Sequence, residues 1–130
     1  MLRTLIVDDD FLVRNYLKTL DAWEKAGYEI VQDVRDGEEA LTVLSEQKID
    51  IVVTDISMPL MNGIELIRQI KEQYPFLYII VLSCHDDFGY VKEAMRLGAN
   101  EYILKNTVDE ETLYQLLLNS IGEIQRYKLQ

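Results

Sequence analysis

A single cysteine, Cys84, leaves no intrachain disulfide to hold the core, so packing must hold it, and a reducing compartment is expected. Histidine is equally scarce. His85 is the only one, it has no partner at ligand or triad spacing, and it is read as neither a phosphohistidine nor a metal ligand. Cations are outnumbered, with 13 Lys and Arg against 23 Asp and Glu and a net charge of −10. Gripping a nucleic-acid backbone takes clustered Lys and Arg, so this segment is not expected to touch DNA itself. The balance suits a metal or a basic protein partner, and also plain solubility. No apolar run approaches the ~20 residues that a bilayer span requires. Met1-Leu2-Arg3 leads directly into a strand pattern, without the apolar stretch of a secretory signal. A soluble cytoplasmic chain with no membrane contact is therefore expected. Repeats, low-complexity tracts and internal linkers are missing too, and 130 residues suffice for one domain with a real core.

What the chain has in abundance is alternation. Apolar clusters predict strands at 3–7, 28–32, 50–54, 78–82 and 101–104. Helical periods fill the intervals and follow the last strand, giving five strands and five helices. Regular βα alternation predicts an α/β fold: a doubly wound, five-stranded parallel sheet with helices on both faces, in a flavodoxin-like order. The first, third and fourth strands are nearly all apolar, as strands buried on both sides are. Gly27 is expected to close the first helix, Asp36 to cap the second, Pro75 to end the third and Gly98 the fourth. The last helix, about 109–127, carries a core stripe of Leu113, Leu116, Leu117, Ile121 and Ile124. Tyr114 and Leu118 lie beside that stripe, as a wider buried face or as a docking surface.

Open α/β sheets bind ligands beyond the carboxyl ends of their strands, and there the acids gather. Leu5-Ile6-Val7 runs into Asp8-Asp9-Asp10, and Ile51-Val52-Val53-Thr54 ends on Asp55. Two carboxylates ~4 Å apart repel by about 4 kcal/mol even at an effective dielectric near ~20, so a cation must hold them together. Hard oxygen ligands suit Mg²⁺ or Mn²⁺. Asp55 is the candidate nucleophile, able to carry a phosphoryl group as an acyl phosphate. Asp8 and Asp9, with Asp55 and the backbone carbonyl of Ser57, are the candidate metal ligands. Asp10 reads more simply as a helix cap. Ser83 and Lys105 end the fourth and fifth strands, and each could bind a phosphoryl oxygen. Singly, such residues are common at strand ends and surfaces. Their meeting at one sheet edge is the informative feature.

In joint order and spacing, several stretches resemble the receiver domain of two-component response regulators over residues 2–127. The matching segments are 5–10, 36–41, 55–59 with Asn62-Gly63, 81–83 and 98–105. The resemblance implies that residues 1–130 form one phosphoacceptor domain and that Asp55 accepts phosphate from a sensor histidine kinase. It implies Mg²⁺ on Asp8 and Asp9, and Ser83 and Lys105 on the phosphoryl group. It also makes Tyr102 the aromatic that reorients on activation. A dianion on Asp55 would pull the Ser83 hydroxyl inward and vacate space that Tyr102 can fill. On this reading the protein is a switch rather than a turnover enzyme. Its readout is an output domain, or a homodimer through the face of the fourth helix, fifth strand and fifth helix. The stretches 20–24, 27–31 and 83–88 resemble receivers joined to AraC-type helix-turn-helix DNA-binding domains. That likeness implies transcription regulation, with DNA contacts in an output domain outside these residues.

Two positions depart from the receiver pattern. Receivers usually carry proline after the lysine, where this chain has Asn106. A cis bond before a non-proline costs ~3 kcal/mol, against under ~1 before proline. A trans Lys105–Asn106 bond and a less firmly placed ammonium are therefore expected. Cys84 stands where receivers often have a smaller residue, and is expected to be at least half-buried, inert, and an obstacle to water and small donors. Three rival readings compete. A pseudo-receiver would keep the fold and act by protein contact without phosphorylation. A haloacid-dehalogenase-like phosphatase would use Asp8 as nucleophile and Asp10 as acid, with Ser83 and Lys105 as phosphate ligands, and would leave Asp55 idle. An FMN binder would need a glycine- and hydroxyl-rich loop after the first strand, where three aspartates stand instead.

Overall fold

Alternating side chains along the central strands divide the core into two halves. On β3 (Ile51–Asp55), Ile51 and Val53 join one apolar cluster and Val52 the other, as the two-residue period of a strand requires. The computed structural model describes residues 1–58, 60–84 and 87–130. Pro59 of the 55–59 stretch, and His85 and Asp86 of the 83–88 stretch, lie outside them. The remaining elements are β1 (Leu2–Val7), α1 (Phe11–Thr19), α2 (Ala22–Lys25), β2 (Tyr28–Val34), α3 (Gly37–Glu46), α4 (Gly63–Gln73), β4 (Tyr78–Ser83), α5 (Phe88–Leu97), β5 (Glu101–Leu104) and α6 (Glu110–Lys128).

The sheet is wholly parallel, in the order β2-β1-β3-β4-β5. β3 and β4 are buried at every position. α1, α2 and α6 cover one face through Leu17, Trp23, Leu117 and Ile124. α3, α4 and α5 cover the other through Ala40, Leu44, Leu66, Ile70 and Ala94. This is the doubly wound, flavodoxin-like arrangement that the βα alternation predicts.

Local signals act where the sequence places them. Asp10, Asp36, Asn62 and Asp109 each accept a backbone N–H at the start of α1, α3, α4 and α6. Gly98 ends α5 in the left-handed region, at φ 116°. Pro75 follows the last residue of the α4 cap. On α6, Leu113, Leu117 and Ile124 are buried, while Leu116, Ile121 and Tyr114 pack half-buried against them. Leu118 is more exposed than any of these.

The first helix departs from expectation. It stops at Thr19, and a separate one-turn helix, α2, precedes Gly27, so the described residues form six helices and Gly27 closes the second. The cause is tertiary. Leu20 turns extended, and the carboxylate of Glu110 on α6 accepts the N–H groups of Asp21 (2.6 Å) and Ala22 (2.9 Å). Those amides would otherwise be orphaned at a helix start. Trp23 then buries its ring and donates its indole N–H to the Leu17 carbonyl at 2.8 Å. β2 also runs to Val34 rather than residue 32, because Asp33 and Val34 keep pairing with Ile6 and Val7.

Candidate functional site

Strand register alone brings the acids together. Val7 pairs with Thr54, so the next residues, Asp8 and Asp55, emerge side by side at the carboxyl edge. Ser83 pairs with Leu104, which puts Lys105 one step beyond Ser83. The Lys105 N–H donates to the Ser83 carbonyl at 2.9 Å. Asp8, Asp55 and Ser83 are all buried, and Asp9 is exposed at the rim.

Lys105 is the cation at the centre. Its ammonium lies 2.9 Å from Asp8 Oδ2 and 3.0 Å from Asp55 Oδ1. The bond to Asn106 is trans, as expected. The looser placement inferred from the missing proline is not what the structure has, because two buried carboxylates hold the ammonium directly. Burial works against the charged ammonium, but Asp8 and Asp55 outweigh it and raise the Lys105 pKa.

One oxygen each from Asp8, Asp9 and Asp55 lies within 4.8 Å of the others. Burial, and next the neighbouring Asp8 charge, push Asp55 up to about 6 against the pull of Lys105. Burial likewise raises Asp8, against the Asp10 N–H that its Oδ1 accepts at 2.8 Å and against Lys105. A site with two buried carboxylates and a third at its mouth still lacks positive charge. Its donors are all hard oxygens, and they fit a small divalent cation. Ser57 is exposed two residues after Asp55, and its N–H meets Asp55 Oδ1 at 3.4 Å.

Around this centre, the side chains differ in readiness. The Ser83 Oγ is buried without a hydrogen-bond partner. Tyr102 sits on β5 and is 47% exposed, turned away from the core. Between them lies an open cavity of about 500 Å³, lined by Ser83, Cys84, Phe88, Val91, Met95 and Tyr102 among others. Cys84 is exposed rather than half-buried, lying just past the end of β4, and its backbone N–H donates to the Asp87 carboxylate at 2.9 Å. Asp10 caps α1 by accepting the Leu12 N–H at 2.9 Å, the cap role expected of it.

Sequence reading missed two supports. Gly63 opens α4 directly against the end of β3: a Cβ there would overlap the Asp55 carbonyl and Ile56 Cα. Its presence in the Asn62-Gly63 pair was the only signal. Arg14, on the first turns of α1, donates to the Asp8 carbonyl and to Asp33 of β2. Burial opposes the Asp33 charge, yet Lys18 and Arg14 prevail and hold its carboxyl below the ordinary range. A lone cation following three acids was the available hint.

Comparison with known proteins agrees with this geometry. The family model for the response regulator receiver domain matches residues 4–118. The transcriptional regulatory protein DegU of Brevibacillus brevis is 36% identical over 114 residues, which are 88% of this chain and 48% of that protein. The chemotaxis protein CheY of Thermotoga maritima is 44% identical over 103 residues, covering 79% of this chain and 84% of that protein. Among solved structures, the REC domain of AraT, a response regulator from Geobacillus stearothermophilus, superposes with a TM-score of 0.87 at 30% identity, covering 98% of both chains. A two-component transcriptional regulator AraC from Clostridium phytofermentans gives the same TM-score and identity over 100% of both. The chain spans between a third and a half of the length of the first curated relatives it matches.

Proposed function

The chain belongs to the response regulator receiver domain family, and from that premise we propose that it is a phosphorylation switch with Asp55 as acceptor. The observation that carries this reading is the buried Asp55 carboxylate, held beside Asp8 by strand register and contacted by Lys105. An Asp55 oxygen attacks the phosphorus of a phosphohistidine on a sensor kinase. The P–N bond breaks, its electron pair returns to the imidazole, and an acyl phosphate forms. Lys105 is placed to neutralise an equatorial oxygen as charge spreads over the phosphoryl group. The unpartnered Ser83 hydroxyl is a ready donor to another. Asp8, Asp9, Asp55 and the Ser57 carbonyl would hold Mg²⁺ or Mn²⁺, which when bound supplies further charge neutralisation at the same oxygens.

The same residues give the switch. Once Ser83 Oγ turns toward a phosphoryl oxygen, the cavity beside it can accept the Tyr102 ring. Movement of an exposed aromatic inward changes the α5–β5–α6 face, where Tyr90, Met95, Tyr102 and Leu118 are exposed. That face is the candidate for homodimerisation or for control of an output domain. Transcription regulation fits the AraC-type likeness, with DNA contacts made outside these residues. Turnover of a diffusible substrate is not part of this function. Among the described residues, no helix is long and apolar enough to cross a membrane. A cytoplasmic location follows from a kinase partner.

Intact mass after exposure to phosphoramidate and Mg²⁺ tests the proposal. Wild type should gain one phosphoryl group, and Asp55→Ala should gain none. No gain, together with no Mg²⁺-dependent beryllofluoride binding, would leave the pseudo-receiver reading.

A further inference from the structure

The Asp8–Asp9 peptide is tied through its carbonyl, and the N–H groups on either side of it are tied as well. The Asp8 N–H donates to the Val34 carbonyl at 3.0 Å, and the Asp10 N–H reaches back to Asp8 Oδ1 at 2.8 Å. The Asp8 carbonyl, which belongs to the peptide leading into Asp9, accepts Arg14 Nη1 at 2.6 Å. Arg14 is itself fixed. Its Nε donates to Asp33 Oδ2 at 2.9 Å, and its guanidinium lies 5.7 Å from the centroid of the Phe11 ring. Asp33 is held in turn by Lys18 at 3.1 Å. The fork spans from α1 across the end of β1 to β2, and its side chain is only 14% exposed.

We propose that Arg14, anchored by Asp33, is a positioning residue for the divalent-cation site, locking the Asp8–Asp9 peptide so that both carboxylates can meet one small ion. The inference rests on the metal reading given above. A peptide unit is planar, so fixing its carbonyl fixes the direction in which Asp9 leaves it. Arg14 touches neither the phosphoryl group nor the cation; it acts through the backbone of their ligands. A lysine could not replace it, because one ammonium does not offer two donors in a rigid fork aimed at separate acceptors. Mg²⁺ demands near-ideal octahedral geometry, whereas Ca²⁺ accepts more oxygens at longer and more variable distances. Loosening the peptide should therefore cost Mg²⁺ more affinity than Ca²⁺.

Calorimetric titration of Mg²⁺ and of Ca²⁺ into wild type, Arg14→Met, Arg14→Lys, Asp33→Asn and Lys18→Met tests this. Both Arg14 variants should lose Mg²⁺ affinity by roughly 10- to 100-fold, the range that outer partners of metal ligands command. They should lose less for Ca²⁺, and Asp33→Asn should fall between them and wild type. Lys18→Met, which breaks an exposed ion pair alone, should stay within about twofold of wild type. Retention of wild-type Mg²⁺ affinity by Arg14→Lys and Asp33→Asn would overturn the proposal. So would equal losses for both ions in step with a lower Tm of the metal-free protein, since that marks a merely structural role. If wild type itself takes up no Mg²⁺, the metal reading fails and this inference with it.

Discussion

Asp55 carries a conflict between stability and chemistry. Its carboxyl is held at about 6 in the folded protein against 3.8 when unfolded. Between those values the folded state keeps a proton that the unfolded chain has released. The stabilisation is thus fully present below the unfolded value and is lost as pH rises through about 6. In metal-free protein the loss is on the order of 3 kcal/mol, and Asp8, also raised, adds in the same direction. Asp55→Asn should accordingly stabilise the metal-free protein at pH about 8, with the gain shrinking toward pH about 4; urea unfolding across that range checks the sign. Ser83 offers the complementary case. Its buried hydroxyl has no partner, so Ser83→Ala should leave stability unchanged or up to about 1 kcal/mol higher by the same assay. The same variant should accept phosphate but fail to bring Tyr102 inward, which the ring resonances of Tyr102, assigned by NMR, would report. Gly63 is constrained by space rather than by φ. Gly63→Ala must push α4 away from the Asp55–Ile56 backbone, and should lower the Tm and slow phosphorylation together.

At the level of elements, strand ends place the chemistry and helix starts secure it. β3, β4 and β5 each deliver one side chain of the site at the carboxyl end or one residue beyond, and β1 delivers Asp8 and Asp9 just past its end. The helices that follow β1, β3 and β5 begin on side-chain caps. α2 is held differently, by Glu110 reaching from α6 to its first amides. A helix of one turn has little stability of its own. Glu110→Ala should therefore fray α2 and cost about 1 kcal/mol, as the loss of a cap does. Trp23 is buried in that helix, so its emission should shift to the red while α1 and the acceptor site remain intact.

For the whole molecule, the question is what releases the accumulated charge. Three carboxylates share one edge and a single lysine answers them among the described residues. A cation that binds only the folded state adds stability by mass action, about 3 kcal/mol at roughly 100 times its Kd. Millimolar Mg²⁺ should raise the Tm of wild type, and the rise should disappear in Asp8→Asn. An unmoved Tm in wild type would contradict the metal site. Phosphorylation would then tip a two-state equilibrium read at the α5–β5–α6 face. Light scattering before and after phosphoramidate treatment distinguishes a dimer from control exerted within one chain.

Sequence by itself determined the sheet, its parallel sense and the edge on which chemistry collects. Strand period, caps and the order of acidic strand ends are local properties, and apolar β1, β3 and β4 could only be central. Asp8, Asp9, Asp55, Ser83 and Lys105 were legible for the same reason, since each stands at or just after the end of a strand. Tertiary structure decided the rest. Lys105 is fixed without a cis bond because two carboxylates from other strands hold it. The first helix breaks at Leu20 because Glu110, 89 residues after Asp21, caps the next turn. Arg14 became part of the site only when α1 folded back over β1 toward Asp33. In each case the deciding partner is remote in the chain, and no local propensity records a contact that folding alone creates.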